Sequence, residues 1–296
     1  MPSLTIATFN CENLFLRYKF NSKSDAAKAV ENGFIIDVKK FDAVLEEERK
    51  LTAAAIKEMN PDILALQEVE SMDSLKAFNA RFLGGAYKYK AMIDGNDPRL
   101  IDVAILSKVP FDHVQTHQFR RSGSSYIFSR DCLEVTFTVG GKPLGFFVNH
   151  FKSMIEGRDE SMPRRTLQAK EVVKILKEKY GNDPSKHDWV MLGDLNDYQP
   201  STAIEALVKT GWMENVVERL PEEEQWTHAY RNDLRQLDYL FLSSSLAKRN
   251  TSVKPVIVRK GLSLNVKNYT GPRFPGVGKD RPHASDHCPV GIKINI

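Results

Sequence analysis

Apolar residues fall in two alternating regimes along this chain. Leu4 to Phe9 alternates with period two and predicts a first strand. From Phe41 to Met59 the apolar positions Val44, Leu45, Leu51, Ala55, Ile56 and Met59 recur at helical spacing, and Asn60-Pro61 stops the helix. Ile63 to Leu66 predicts a buried strand, and Leu75 to Phe82 a short helix closed by Gly84-Gly85. Strand patterns then dominate: Tyr87–Ile93, Ile101–Leu106, Phe111–Phe119, Cys132–Val139 and Leu144–Val148, the last two joined by a Gly140-Gly141 turn. Pro163 to Tyr180 reads as a helix ending at Gly181, followed by a strand at Trp189–Leu192 and a helix at Ser201–Val208. Strands at Leu237–Leu242 and Val290–Ile294 complete the pattern. Arg17 to Val38 has no period and reads as an insertion or lid, and Lys260 to His283 as a loop. Strands and helices both recur, but not in strict alternation. Two packed sheets with outer helices fit better than a doubly wound sheet, within one domain spanning residues 1–296.

Polar clusters close five of the strand-like runs. They are Thr8-Phe9-Asn10, Leu66-Gln67-Glu68, Val148-Asn149-His150, Gly193-Asp194-Leu195-Asn196, and Ser285-Asp286-His287-Cys288-Pro289 ahead of the last strand. Brought to one rim, they build a site of carboxylates, amides and imidazoles, suited to a hard divalent cation and a phosphate ester. Asp194 and Asn196, two apart, can project to one side, although an Asx-turn explains the pair equally well. Glu68 alone is better read as a surface acid at a strand end than as a metal ligand. Asp238 lies inside the apolar run Leu237-Asp238-Tyr239-Leu240-Phe241, where a carboxylate needs a partner, and His287 is the natural one. Asp102 poses the same question and is expected to serve His150, which would then be a cation facing the phosphate.

Composition narrows the class. With 42% hydrophobic and 27% charged residues, the chain reads as an ordinary water-soluble globular protein, and no segment approaches a membrane span. Three cysteines in no paired spacing favour a reducing compartment over a disulfide framework. No signal peptide is evident, so a cytoplasmic location is expected; a secreted form with its signal removed would read the same. The net charge of +4 is compatible with a polyanionic partner. Basic residues concentrate at Arg120, Arg121, Arg130, Lys152, Arg158, Arg164 and Arg165, and again at Lys260, Lys267, Arg273, Lys279 and Arg281. Each is as readily solvated surface charge as a contact for a nucleic-acid backbone.

The motifs TFNCENLF, DILALQEVE, DVAILSK, NHFKS, RRTLQA, GDLND, LDYLFLS and SDHCPV occur in this order between Thr5 and Val290. In that order they resemble the endonuclease/exonuclease/phosphatase superfamily. The resemblance implies a four-layer α/β/β/α sandwich of two mainly antiparallel mixed sheets flanked by helices. It also implies a hydrolase dependent on Mg²⁺ or Mn²⁺. By the same resemblance Glu68 is the main metal ligand, with Asn10 beside it and Asp286 available to the metal or to a second one. Asp194 positions the attacking water, Asn196 binds phosphate, and His287, oriented by Asp238, faces the scissile phosphate. His150 stands where deoxyribonucleases and many phosphatases have histidine and abasic-site endonucleases have tyrosine. Lys152 and Arg130, with Asn10 and Asn196, are the expected substrate contacts. The segments HFKS and GDLNDYQP depart from the abasic-site pattern, and Leu234-Arg235-Gln236-Leu237 lacks the inositol polyphosphate phosphatase signature. The ENLF start, HFKS and RRTLQA look most like bacterial deoxyribonuclease-type hydrolases. The expected function is a nuclease cleaving DNA or RNA by in-line attack of water, with no obligate protein partner. The alternative is a phosphomonoesterase acting on a small or lipid-linked phosphate such as an inositol phosphate. A catalytically silent binding module is disfavoured by the complete set of polar residues.

Overall fold

A computed structural model describes residues 2–14, 19–20, 41–42, 46–230 and 233–296. The first sheet is built from β1 (Ser3–Leu14), β2 (Ile63–Val69), β3 (Tyr89–Met92), β4 (Asp102–Ser107), β11 (Val256–Ile257) and β12 (Val290–Asn295). Its spatial order is β11-β12-β1-β2-β4-β3. The second contains β5 (His113–Gln115), β6 (Cys132–Val139), β7 (Lys142–His150), β8 (Trp189–Asp194), β9 (Met213–Asn215) and β10 (Asp238–Ser243), in the order β9-β10-β8-β7-β6-β5. Each sheet has one parallel pair near its centre, β1 with β2 and β7 with β8; the other pairings are antiparallel.

Side-chain alternation assigns the layers. Ile6, Ile63, Val103, Ile105, Leu133, Val135, Phe146, Val148, Val190 and Leu240 face the space between the sheets. Their neighbours Ala7, Leu64, Ala104 and Leu106 face outward, under Leu51 and Ile56 of α1 (Glu46–Met59) and Leu75 and Phe78 of α2 (Met72–Phe82). On the other sheet Phe147, Met191, Tyr239 and Phe241 pack under α3 (Arg158–Tyr180) and α4 (Thr202–Val208). A last short helix, α5, spans Ser244–Arg249. Strands buried on both faces read as near-continuous apolar runs, which is why the central strands stood out in the sequence. The result is the expected four-layer α/β/β/α sandwich.

Some boundaries differ from the pattern. The helix expected from Phe41 starts at Glu46, and Phe41–Asp42 pairs instead with Lys19–Phe20. Three glutamates, Glu46 to Glu48, occupy the helix's first turn, where its dipole favours negative charge. The helix expected from Pro163 begins earlier, at Arg158, with Pro163 within it. Apart from 19–20, the stretch expected to be a lid lies outside the described residues. Among the described residues no helix is long and apolar enough to cross a membrane. Cys11, Cys132 and Cys288 are free and buried.

Gly193 is required where β7 and β8 meet. Its φ is +136°, and a Cβ there would lie 1.9 Å from the Asn149 carbonyl oxygen. Beyond it, Asp197 anchors α3 to the loop after β8. Arg165 Nε and Arg158 Nε each reach its carboxylate at 3.0 Å, and Ser201 Oγ donates at 2.8 Å. Arg165 and Asp197 are both fully buried. The second arginine of RRTLQA, Arg165, and the second aspartate of GDLND, Asp197, thus brace the scaffold.

Removing one partner of a buried, hydrogen-bonded ion pair costs about 3–5 kcal/mol, because the other charge is left uncompensated. Asp197→Ala is therefore expected to lower the unfolding free energy by about that amount in urea denaturation. Arg165→Met, which leaves Asp197 its contact with Arg158, should cost less; equal or reversed losses would contradict the bracing role.

Candidate active site

The strand directions bring the chemistry to one rim. β1, β2, β7 and β8 all end there, delivering Asn10, Glu68, His150 and Asp194. β10 runs antiparallel to β8 and starts at the same edge, so Asp238 lies opposite Asp194. β12 pairs antiparallel with β1, Val290 opposite Thr8, which carries Asp286 and His287 to the rim just before it. One register break sets Glu68: between Asn10↔Gln67 and Leu14↔Val69 there is one residue on β2 but three on β1. A second break lies between Leu66 and Val69 against β4. The bulged backbone holds Glu68 at φ +63°, and Glu12, Asn13 and Asn196 also adopt positive φ. Non-glycine residues pay for such conformations, and their clustering marks a functional edge.

Asp194 is the hub. Its Oδ2 accepts from Asn10 Nδ2 and Asn196 Nδ2, both at 3.0 Å, and lies 3.3 Å from His150 Nε2 and 3.8 Å from His287 Nε2. Its Oδ1 accepts the Asn196 backbone N–H at 2.7 Å. Burial alone would push this carboxyl up, but His287, His150 and the Asn196 N–H outweigh it and hold the group well below the ordinary carboxylate range. Asp194 is ionised at neutral pH.

His287 and Asp238 form a pair, Nδ1 to Oδ2 at 2.8 Å. Thr227 Oγ1 donates to the same Asp238 oxygen at 2.8 Å and accepts the Asp238 backbone N–H at 2.9 Å. Burial opposes the charge on His287, yet Asp238, Asp194 and Asp286 outweigh it and raise its pKa well above the usual value. His287 is the cation of the site.

His150 is different from expectation. Burial and the nearby Arg130 push its pKa down against the pull of Asp194 and Glu68, so its imidazole is neutral. Asp102 does not serve it: that carboxylate accepts the Gly95 N–H at 3.0 Å, and burial raises its pKa to about 7. His150 Nδ1 is instead buried without a hydrogen-bond partner.

Glu68 Oε2 accepts the Asn13 N–H at 3.0 Å, and Oε1 lies 3.4 Å from Asn10 Nδ2 and 4.0 Å from His150 Nε2. Its side chain is 20% exposed, and that of Asp286 is 40% exposed. Ser285 Oγ donates to the Asn10 carbonyl oxygen at 2.8 Å, tying the Asp286 loop to the end of β1. Glu68 and Asp286 thus each present a partly exposed carboxylate, the donor type that a hard divalent cation takes. Asn10, expected beside Glu68 at the metal, has its Oδ1 accepting the Glu12 N–H at 3.1 Å and its amide nitrogen facing Glu68 and Asp194.

The expected basic contacts are mostly committed elsewhere. Arg130 is buried and donates to Asp97 at 3.3 Å, Ser129 at 3.1 Å and the Phe151 carbonyl at 2.7 Å. Lys152 Nζ bonds Glu156 at 2.7 Å. Arg120 pairs with Glu178, and Arg164 reaches the Tyr126 carbonyl. Arg273 donates to the carbonyls of Leu262, Gly271, Ser263, Val266 and Tyr269, and Arg281 pairs with Glu48 and Glu12. These last two arginines fasten the 260–283 loop instead of lining it for a polyanion.

Two residues were missed by the sequence reading. Arg99 is held by both Asp97 oxygens, at 3.0 and 3.1 Å, its side chain 56% exposed, and the charge of Glu68 acts on it. Asp97 thus holds Arg130 on its buried side and Arg99 on its exposed side. His228 lies with its ring centroid 4.6 Å from that of His287, and its Nε2 is 3.5 Å from Asp286 Oδ2. The Asp-x-Arg spacing was a weak signal for the first; nothing in the pattern marked the second.

A family model described as the endonuclease/exonuclease/phosphatase family matches residues 5–294. The chain belongs to that family. Among solved structures, truncated Caenorhabditis elegans TDP2 is 18% identical, with 99% of this chain and 98% of that chain covered and a TM-score of 0.63. Staphylococcus aureus beta toxin is 16% identical over 98% of this chain and 99% of its own, with a TM-score of 0.64. The human Nocturnin catalytic domain is 14% identical over 99% and 93%, with a TM-score of 0.64. At these identities the likeness shows the fold. No curated protein matches the chain.

The buried dyad makes a stability prediction. Asp238→Asn and His287→Ala should each destabilise, and their double variant should fall short of the sum by about 1–3 kcal/mol. The His287 pKa is raised on folding, so its contribution is full below the unfolded value and is lost as pH rises through the folded one. The coupling measured by denaturation at pH 6 should therefore exceed that measured well above neutrality; additive losses at both would argue against a charged pair.

Proposed function

We propose that this protein is a Mg²⁺- or Mn²⁺-dependent phosphodiesterase that cleaves nucleic acid by in-line attack of water. One observation carries the reading. The ionised Asp194 carboxylate and the Nε2 of the His287 cation, backed by Asp238 at 2.8 Å, stand 3.8 Å apart where the strand ends converge. An in-line displacement at phosphorus needs a fixed anion on the side of the entering water and a fixed donor for the charge growing on the phosphoryl oxygens.

In this reading Asp194 orients the attacking water and accepts its hydrogen bond, while His287 Nε2–H donates to a non-bridging oxygen. Asn10 and Asn196 keep Asp194 in place, their amide N–H groups held by Asp194, Glu68 and the Phe151 carbonyl. The neutral His150 donates from Nε2 and needs no counter-ion of its own. Glu68 and Asp286 supply carboxylate oxygens for the cation, which when bound neutralises charge on the phosphate. Arg99, bound to Asp97 with its side chain 56% exposed and under the charge of Glu68, takes the place of the buried Arg130 as the arginine facing a substrate phosphate. The net charge of +4 is compatible with a polyanionic substrate.

The test is a substrate panel with and without EDTA: plasmid, linear DNA, RNA, and small phosphate monoesters and diesters. Cleavage of a polynucleotide is expected, abolished by EDTA, with Glu68→Ala requiring far more Mg²⁺ for any residual rate. Arg99→Ala should weaken binding to all sequences alike and reduce the slope of log affinity against log salt by about one. Full activity in chelator contradicts the metal role. Phosphate release from a small monoester, with every polynucleotide left intact, establishes the phosphomonoesterase alternative.

A further inference from the structure

His228, Asp286 and His287 form a group that the hydrolytic reading does not use as a unit. Their ligand atoms all lie within 4.8 Å of one another. His228 Nε2 is 3.5 Å from Asp286 Oδ2, and His287 Nε2 is 4.0 Å from Asp286 Oδ1. In a tetrahedral zinc site with bonds of about 2.0–2.1 Å, neighbouring ligand atoms stand about 3.3 Å apart. Side-chain rotations must bring these atoms closer by up to about 1.5 Å to reach that spacing.

Three further features favour a borderline cation over Mg²⁺. Two of the three ligands are imidazoles, which suit zinc and its neighbours, whereas Mg²⁺ takes oxygen. His287 Nδ1 is held by Asp238, which fixes the ring with Nε2 outward, the carboxylate–histidine–metal arrangement of tuned zinc ligands. The group is also reachable: His228 is 15% and Asp286 40% exposed, which leaves a fourth position for water. The neighbouring group of Asp194, Asp238 and His287 is a poorer candidate. It is buried throughout, and its carboxylate oxygens already accept from Asn10, Asn196 and Thr227.

We propose that His228, Asp286 and His287 bind Zn²⁺, and that this binding blocks hydrolysis by withdrawing His287 from the phosphate and Asp286 from the cation that Glu68 helps to hold. The zinc takes the place of the proton on His287 Nε2, so the donor to the phosphate is lost while the ion is bound. The block rests on the phosphodiesterase reading; the zinc site itself does not.

The experiment uses the full chain, with calorimetric titration of Zn²⁺ alone and, separately, the visible absorption of Co²⁺ as a report of four-coordinate geometry. One ion per chain is expected, not displaced by excess Mg²⁺. His228→Gln should weaken Zn²⁺ binding at least tenfold and shift the Zn²⁺ inhibition midpoint by the same factor, with an unchanged circular dichroism spectrum. Asp286→Asn serves as a second variant with the same expected loss of Zn²⁺ and Co²⁺ binding. Wild-type Zn²⁺ affinity in both variants overturns the site. Bound Zn²⁺ with undiminished hydrolysis overturns the block. Zn²⁺ binding lost in both variants, in a protein that hydrolyses no phosphate ester, upholds the site and contradicts the phosphodiesterase reading alone.

Discussion

Everything at the rim depends on one buried carboxylate. Asp194 is almost wholly removed from water, where an unpaired charge would be costly. It stays ionised because amides from Asn10 and Asn196, a backbone N–H and two imidazoles surround it. Those donors come from β1, the loop after β8, β7 and the segment before β12, so the carboxylate ties both sheets together. The arrangement is reciprocal. Asp194 helps hold His287 charged, and His287 holds Asp194 ionised.

The topology makes this convergence possible. A parallel pair at the centre of each sheet sends four strand ends to the same edge, and antiparallel neighbours begin there. Gly193 allows β8 to approach β7 closely enough for Asp194 to lie opposite His150. Behind the rim, Arg165 and Asp197 fasten α3, and in front of it Arg281 and His283 grip Glu12. Glu12 in turn accepts the Asp286 N–H at 3.2 Å, so charge pairs support the loop that carries Asp286 and His287.

The architecture and most of the rim were legible because strands buried on both faces leave apolar runs, and a polar residue at the end of such a run is conspicuous. Asp238 and His287 were paired correctly because a carboxylate within an apolar strand demands a partner. The failures have a common cause. Sequence shows which charges exist, not which are already neutralised: Arg273 and Arg281 read as a basic loop, but their donors are taken by carbonyls and glutamates. Asp102 was assigned to His150 on the same logic as Asp238, yet a backbone N–H satisfies it. His228 sits in a short hairpin whose pattern has no period, and a ladder contact with His287 brings it to the site.

The most direct test is the turnover of Asp194→Asn at saturating Mg²⁺ on a polynucleotide substrate, alongside Mn²⁺ binding followed by electron paramagnetic resonance. Asparagine keeps the shape but not the charge. The account predicts a fall in kcat of about 10²–10⁴-fold, the range typical of a positioned acid–base group, with Mn²⁺ affinity within a few-fold of wild type. A kcat close to that of the wild-type protein would contradict the central role of the Asp194 carboxylate.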